Sequence, residues 1–339
     1  MAELNIGIIG LSQSGRTTVF NALTGVCGGR REVGLGSARV PDSRIEKLTE
    51  LFKSKKKASA EIRYIEIGTS VKNISGQLLN QLAQADALLN VVRAFPSDSV
   101  PHSEGSIDTE RDMEAINLEV IFSDLGIIER RLNRIGSSLK AAKATERQQL
   151  VHEQELLYRI KEALEGGTSL REIELSASEL HLISGYGFLS IKPLLTVINI
   201  GESQMSEAKD IEEKYQQKFG KPGHLIMTLC AELEKEIAEL DEQSSLEFCA
   251  EYGIDKAGRD RVVKASYQLL DLISFLTTGE DETRAWPIVK GVTALEAAGK
   301  IHSDIQRGFI RAEVIAYEGL VRIGGLAEGR KQGLLRSEG

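Results

Sequence analysis

The chain has 339 residues, a net charge of -8 and an isoelectric point of about 5.4. This length exceeds one compact core and predicts two or three domains, while the acidic charge argues against non-specific coating of nucleic acid by the whole molecule. Cys27, Cys230 and Cys249 are widely spaced, which indicates a reducing compartment and no structural metal. Since no apolar run approaches a membrane span and no leader precedes the first strand, we expect a cytoplasmic protein with no membrane partner.

The first motif is a glycine turn between a strand and a helix. The apolar run Ile6–Ile9 leads into the turn Gly-Leu-Ser-Gln-Ser-Gly-Arg-Thr-Thr at residues 10–18, and a helix pattern follows over Thr17–Thr24. This order is typical of the phosphate-binding loop G-x-x-x-x-G-K-[ST]. In that loop the backbone N–H groups surround the phosphates, the Lys reaches the β and γ oxygens, and the hydroxyl ligates Mg²⁺.

One residue of this turn departs from the pattern. Gly10, Gly15 and Thr17 fit it, but Arg16 stands at the Lys position, and a planar guanidinium is not a conservative replacement for a compact ammonium. An ordinary glycine turn between a strand and a helix is the alternative. We predict a nucleotide site to which this turn contributes Gly10, Ser12, Gln13, Ser14, Gly15, Arg16, Thr17 and Thr18.

Further strand patterns predict an α/β domain. They lie at Glu61–Ile67 and Ala87–Val92, and the pattern resumes at Pro193–Ile200 and 226–229, with helices expected at 205–220 and 231–250. Such apolar runs suit a parallel sheet that is covered on both faces.

A helical segment interrupts this α/β pattern from about Asp112 onward. Its apolar residues step by three and four, as in a heptad repeat, at Leu125, Ile128, Leu132, Ile135, Leu139, Leu157, Ile160 and Leu164. They predict an antiparallel helical hairpin of the coiled-coil type, and an amphipathic helix pair lying on the body of the domain is the alternative. A charged, glycine-bearing linker is expected near Tyr252–Arg261.

Three segments resemble the YchF branch of the Obg-related P-loop NTPases, and the similarity runs almost from end to end. The first is the turn and helix from Gly10 to Thr24, and the second is Asn-Ile-Gly-Glu at 199–202 together with Cys-Ala-Glu at 230–232. The third is very similar to the family's terminal TGS domain and comprises 272–279, 284–286, 299–304 and 308–314.

The second segment matches the family's base-recognition motif, N-x-x-E, in place of the N-K-x-D of ordinary GTPases. A displaced Glu cannot reproduce the two hydrogen bonds that Asp accepts from guanine, so relaxed selectivity is expected, with ATP accepted as well as GTP. Backbone N–H groups of Cys230 and Ala231 are expected at the base edge, whereas Asn199 as a simple turn residue is the alternative. The resemblance implies base contacts from Asn199, Ile200, Glu202, Cys230, Ala231 and Glu232.

The departures from the family pattern cluster at the Mg²⁺ and γ-phosphate end. Glu66 replaces the Asp of D-x-x-G, Thr69 replaces its Gly, and between Gly25 and Pro41 there is no switch threonine, only Ser37. By resemblance Thr17 and Glu66 are the candidate Mg²⁺ ligands. Because phosphoryl transfer depends on positioning and charge neutralisation, we expect these changes to reduce turnover more than binding.

His102 is the single candidate catalytic residue. It aligns with a loop histidine to which a water-orienting role is attributed in the family, whose members lack a catalytic Gln. The alternative is an exposed loop histidine with no such role.

The terminal domain implies contact with a ribosome or structured RNA. Positive charge is available there from Arg307, Arg311, Arg322, Arg330 and Lys331, and a second cluster comprises Lys53, Lys55, Lys56 and Lys57. A solvated basic surface is the alternative. Family members continue beyond the end of this chain, so the last strand of the terminal domain is expected to be missing.

The sequence thus predicts an α/β fold, a P-loop NTPase sheet with a helical hairpin insertion and a C-terminal β-grasp TGS domain. The expected boundaries are 1–115 and 181–255 for the NTPase domain, 116–180 for the hairpin and 256–339 for the TGS domain. The expected function is nucleotide binding, of ATP, GTP or a diphosphate with Mg²⁺, in a monomer with weak or absent hydrolysis. The alternative is an interaction scaffold that binds no nucleotide, and an efficient ATPase is the least expected.

Overall fold

A computed structural model of the chain describes residues 4–26, 33–67, 74, 76–97, 99–240, 244, 247 and 257–339. The chain divides into two compact units. The larger unit comprises Leu4–Gly36 and Arg63–Val262, and the smaller unit contains Ser37–Ile62 and Val263–Gly339. Among the described residues, no helix is long and apolar enough to cross a membrane.

A six-stranded sheet forms the centre of the larger unit. Its strands lie in the order β2-β4-β1-β5-β6-β7 and comprise β1 Asn5–Gly10, β2 Val33–Arg39, β4 Glu61–Ile67, β5 Ala87–Arg93, β6 Leu194–Asn199 and β7 His224–Leu229. From β4 to β7 every neighbouring pair is parallel. The α/β prediction is confirmed, and β2 is a strand that the sequence did not indicate, because two glycines interrupt its apolar pattern.

The parallel arrangement brings three strand ends to one edge. Gly10 pairs in register with Val91, and Arg93 pairs with Asn199. The glycine turn therefore lies beside the ends of β5 and β6, the place where open α/β sheets bind ligands.

Seven α-helices accompany this sheet among the described residues of the larger unit. They are α1 Arg16–Thr24, α3 Gly76–Ala83, α4 Thr109–Ser138, α5 Ala144–Glu165, α6 Ala177–Ile183, α7 Ala208–Phe219 and α8 Ala231–Glu239, with α2 Ser43–Phe52 in the smaller unit. Helix α8 covers the start of the helix expected at 231–250, most of whose remainder lies outside the described residues.

The helical insertion is a pair of long helices, α4 and α5. Near its start α4 packs on the sheet through Ile116 and Val120, and farther along Ile128 and Ile135 pack with Leu157 and other side chains of α5. The heptad pattern is thus satisfied by helix pairing, while the first turns of α4 lie on the domain body. Each of the two alternatives describes one part of the insertion.

The smaller unit has a three-stranded sheet. Strand β3, Lys56–Ala58, runs parallel to β9, Glu282–Val289, which pairs antiparallel with β8, Leu272–Thr277. A separate antiparallel pair joins β10 Ala312–Val314 to β11 Arg336–Glu338. The remaining helices are Ala294–Ile301, Ser303–Arg307, Tyr317–Ile323 and Leu326–Lys331.

The structure bears on two expectations about this part of the chain, the linker and the basic cluster. A linker was expected near Tyr252–Arg261. For the C-terminal part of this segment, which the structure describes, that expectation is wrong, because a helix spans Gly258–Leu269. The basic cluster at 53–57 belongs to the smaller unit, where Lys55 pairs with Asp281 at 2.9 Å. The domain boundaries given above stay a prediction.

Candidate functional site

The glycine turn leaves the start of α1 open. Gly15 is the N-cap in the left-handed conformation, with φ 94°, and no side chain caps the helix. Gln13 also has a positive φ, 63°, which is uncommon for a residue with a side chain. Because the first N–H groups of a helix lack partners within it, this turn presents donors to an anion.

Asn199 connects the turn to the loop after β7. Its Nδ2 donates to the Ser14 carbonyl at 3.2 Å, and its Oδ1 accepts from the Ala231 N–H at 3.2 Å. A Cβ on Gly15 would lie 2.3 Å from this Nδ2, so only glycine fits there. Asn199 is therefore a bridge between two loops rather than a simple turn residue.

This bridge corrects one expectation. The N–H of Ala231 was expected at the base edge, but it already donates to Asn199, and the Ala231 side chain is fully buried. Ala231 thus helps to fix the site and does not offer that donor to a ligand.

A cavity of about 790 Å³ lies along these loops. Of the predicted residues, those that line it are Gln13, Gly15, Arg16, Thr17, Thr18, Glu66, Asn199, Ile200, Glu202, Cys230 and Glu232. The others, which do not line it, are Gly10, Ser12, Ser14, Ala231 and His102. Its volume is within the range of small-molecule and cofactor sites.

Two lining residues at the end of β5 were missed by the sequence analysis. Arg93 is only 2% exposed, donates from Nε to the Phe95 carbonyl at 3.0 Å, and lies 5.0 Å from the centre of the Phe95 ring. Phe95 in turn packs beside Gly201. No sequence motif marks these two residues. The sequence places them only at the end of a buried strand, since Arg93 is the last residue of β5 and Phe95 follows it.

Cys230 also lines the cavity. Burial raises the pKa of its thiol, so the thiol is neutral at physiological pH. Together Phe95, Ile200 and Cys230 give the cavity an apolar end that suits a planar base.

The other end of the cavity contains the altered residues. Thr17 donates its hydroxyl hydrogen to Glu66, and Arg16 Nη1 donates to the Ile67 carbonyl at 3.2 Å. A hydroxyl beside a carboxylate is a suitable oxygen donor set for Mg²⁺. Gly68 and Thr69 lie outside the described residues.

His102 is held against α4 by hydrogen bonds. Its side chain is 6% exposed, and Nε2 lies 2.8 Å from Asp112 Oδ2. Its Nδ1 accepts the Glu104 N–H at 3.1 Å, so the neutral ring carries its hydrogen on Nε2. His102 is thus not the exposed side chain of the alternative interpretation, and its catalytic role stays a prediction.

Comparisons with known proteins agree with this architecture. A family model named YchF-GTPase_C, described as a protein of unknown function, matches residues 272–339. The structure of the Schizosaccharomyces pombe YchF GTPase superposes with a TM-score of 0.85 at 24% identity, over 100% of this chain and 94% of that one, which supports the fold.

Curated relatives match over nearly their whole length. The ribosome-binding ATPase YchF of Bacillus subtilis (strain 168) is 37% identical over 99% of this chain and 95% of its own. The proteins of the same name from Haemophilus ducreyi and Escherichia coli O157:H7 are each 33% identical over 98% of this chain and 94% of theirs. With its P-loop sheet, helical insertion and C-terminal part matched end to end, the chain belongs to the YchF family.

Proposed function

We propose that this chain binds ATP or GTP, or the corresponding diphosphate, in the cavity beside the glycine turn and hydrolyses it weakly or not at all. We further propose that it acts at the ribosome or on structured RNA through a C-terminal TGS domain, as a cytoplasmic monomer.

The observation that carries the nucleotide proposal is the open start of α1, where Gly15, Arg16 and Thr17 line the cavity and no side chain caps the helix. Ser14 is 4% exposed, and its Oγ has no hydrogen-bond partner among the described residues. A buried polar atom without a partner is costly, but Ser14 does not line the cavity, so its hydroxyl is not counted as a phosphate contact. The turn thus fits an anion through its backbone N–H groups.

Relaxed base selectivity follows from the other end of the cavity. Glu202 is exposed and begins a short 3₁₀ helix, and the Gly201 N–H donates to Gln204 at 2.9 Å. Asn199 uses one N–H and its carbonyl oxygen in bridging the loops. The surface facing a base is therefore mostly apolar, from Phe95 and Ile200, which suits adenine and guanine alike.

Weak hydrolysis follows from the partner of Arg16. The guanidinium is hydrogen-bonded to the end of β4, and the hydroxyl that would ligate Mg²⁺ is hydrogen-bonded to Glu66. If bound, Mg²⁺ would be held by Thr17 and Glu66 and would neutralise charge on the phosphates. The Thr17 hydroxyl can keep this hydrogen bond while its oxygen lone pairs ligate Mg²⁺, so the support for weak hydrolysis comes from Arg16, whose guanidinium is hydrogen-bonded to the Ile67 carbonyl.

Ribosome association is proposed because the curated relatives are named ribosome-binding ATPases. The interaction scaffold without nucleotide remains the second candidate. It is favoured by the same contact of Arg16 with Ile67, because a guanidinium that stays there would not approach a phosphate.

Pelleting through a sucrose cushion tests the combined proposal. The full chain is mixed with ribosomes and with ADP, ATP or no nucleotide, and phosphate release is recorded in the same samples. We expect co-pelleting that changes with the nucleotide while phosphate release stays near background. Co-pelleting that is the same with ADP, with ATP and without nucleotide would support the interaction scaffold. Rapid phosphate release would overturn the weak-hydrolysis proposal.

A further inference from the structure

A strip of polar side chains crosses the face of the sheet beneath α4. Asn90 pairs in register with Thr196, and His224 pairs with Leu194, two residues earlier on the same strand. Register partners and alternate residues of one strand share a face, so all three side chains lie on the face that carries Ile9 and Leu194. Three polar residues on adjacent buried strands, in a face otherwise built of apolar side chains, need hydrogen-bond partners.

These side chains line a second cavity of about 260 Å³, separate from the nucleotide cavity. Its opposite wall is apolar and comes from Met113, Ile116 and Val120 of α4. Liquid water takes up about 30 Å³ per molecule, so the cavity has room for roughly eight or nine non-hydrogen atoms.

Asn90 is the least satisfied group in this cavity. It is 2% exposed, and its Oδ1 has no hydrogen-bond partner among the described residues. Most buried side-chain polar atoms are paired, because an unpaired acceptor loses its hydration without compensation. The cavity thus contains an acceptor that a ligand with an N–H group would satisfy.

Thr196 supplies a second acceptor. Burial lowers the pKa of His224 to about 4, so its ring is neutral at physiological pH, and Nε2 lies 2.9 Å from Thr196 Oγ1. In either tautomer of the ring, the Thr196 hydroxyl oxygen keeps at least one lone pair that can accept from a ligand.

Arg171 and Lys221 are the cationic residues that line the cavity, and Lys221 is paired with Glu172, also a lining residue, at 2.6 Å. The Nε of Arg171 donates to the Lys192 carbonyl at 2.9 Å, and its terminal nitrogens have no ion pair within the described part of the chain. Burial lowers the pKa of Arg171 to about 10, which leaves it cationic at neutral pH. An unpaired guanidinium in such a place is suited to a carboxylate.

From these groups we propose that the cavity binds a free aliphatic α-amino acid of about the size of leucine. The ammonium donates to Asn90 Oδ1 and Thr196 Oγ1, the carboxylate accepts from Arg171, and the side chain packs against the apolar wall of α4. Glu114, an exposed residue of α4, also lines the cavity. The site lies apart from the glycine turn, so the proposal does not depend on nucleotide binding.

The test measures binding of L-leucine to the nucleotide-free full chain by calorimetry and by thermal unfolding. We expect saturable heat, and a midpoint of unfolding that rises with leucine up to about 10 mM. 4-Methylpentanoate, which lacks the ammonium, and isoamylamine, which lacks the carboxylate, should each bind at least about tenfold more weakly, since each loses one charge-assisted contact.

Variants locate the site. Asn90→Leu keeps the branched shape and the number of non-hydrogen atoms, removes the unpaired acceptor and should fold at least as well as the wild type, yet lose leucine binding about tenfold or more. Arg171→Met should lose it similarly. Ser123→Ala is the matched control, because the Ser123 hydroxyl is also buried without a described partner but does not line the cavity.

Three results would overturn the proposal. One is the absence of heat and of any midpoint shift with leucine. Another is a shift that persists in Asn90→Leu, which would place binding elsewhere. The third is equal binding of leucine and isoamylamine, which would remove the role of Arg171.

Discussion

Arg16 is the residue that most affects how the nucleotide site works. Its guanidinium contacts the Ile67 carbonyl, whereas a lysine ammonium on a flexible stem would be free to reach phosphate oxygens. We predict that Arg16→Lys tightens ATP binding about tenfold, or about 1.4 kcal/mol, measured by calorimetry. Arg16→Met is the control for loss of charge alone, and unchanged affinity in the lysine variant would show that position 16 does not face the phosphates.

Gly15 allows a direct test of the loop bridge. A Cβ there would lie 2.3 Å from Asn199, and φ is 94°, so Gly15→Ala combines strain with a clash and should lower the unfolding free energy by about 2–4 kcal/mol and abolish ADP binding. Gly25→Ala is the matched control, since Gly25 also has a positive φ of 67° but has nothing within 4 Å of its Cβ position. It should cost about 1 kcal/mol and leave ADP binding intact. Equal effects of the two changes in chemical denaturation and calorimetry would contradict the bridge.

At the scale of elements, the start of α4 holds the loop that carries His102. Asp112 accepts from His102 and also from Arg111, whose Nε and Nη2 lie 2.9 and 2.8 Å from Oδ1. We predict that Asp112→Asn loosens His102 and raises phosphate release several-fold if His102 orients water, and that adding His102→Ala removes the increase. The rate is measured under single-turnover conditions with ATP.

Asp108→Asn is the control for this experiment. Asp108 is the N-cap of α4, and Asn caps a helix as well as Asp does, so the same substitution four residues earlier should leave the rate unchanged. A rate in Asp112→Asn that matches the wild type would argue against a catalytic role for His102.

Strand β7 begins with a histidine that makes stability depend on pH. Burial, together with the charges of Arg171 and Lys221, lowers the pKa of His224 from 6.5 to about 4, so between these values the unfolded chain binds more protons. Its contribution to stability is therefore full above pH 6.5 and is lost as the pH falls towards 4. We predict that the unfolding free energy of the wild type, relative to His224→Gln, decreases by on the order of 2 kcal/mol between pH 7 and pH 4.5 in urea denaturation.

The titration of Asp124 does not affect the difference in unfolding free energy between the wild type and His224→Gln. Burial raises its pKa to about 6, which gives the opposite slope, but the residue is present in both proteins and cancels in the difference. A difference that does not change with pH would mean that His224 has the same pKa in the folded and the unfolded chain.

At the scale of the whole molecule, the sequence predicted the elements whose signals are local. Five of the six central strands have recognisable apolar patterns, which in β4 alternate with charged residues, and the phosphate-loop spacing placed the turn before α1. Strand β2 was not predictable because its glycines hide the pattern, and β3 was missed because three residues form a strand only by pairing with the distant β9.

The site was predictable where a motif marks it and not where tertiary contacts make it. Asn199 and Glu66 stand in recognisable motifs, whereas Arg93 and Phe95 follow a strand without any motif. Asn199 is hydrogen-bonded to Ala231, which lies far along the chain, and His102 is hydrogen-bonded to Asp112 of the next helix. Neither contact could be predicted from the sequence, because both depend on the fold. Asn90 lies within an apolar strand pattern, which gives no sign of a binding site. Only the structure shows that its Oδ1 has no hydrogen-bond partner among the described residues and that Asn90 lines the second cavity.

The central claim is that the turn at residues 10–18 still binds a diphosphate while the metal and γ-phosphate end is weakened. Calorimetric titration of the full chain with ADP, with and without Mg²⁺, tests it most directly. We predict saturable heat in both conditions, with affinities that differ by no more than about threefold, because the backbone donors of the turn do not depend on the metal. No heat at millimolar ADP in either condition would contradict the claim.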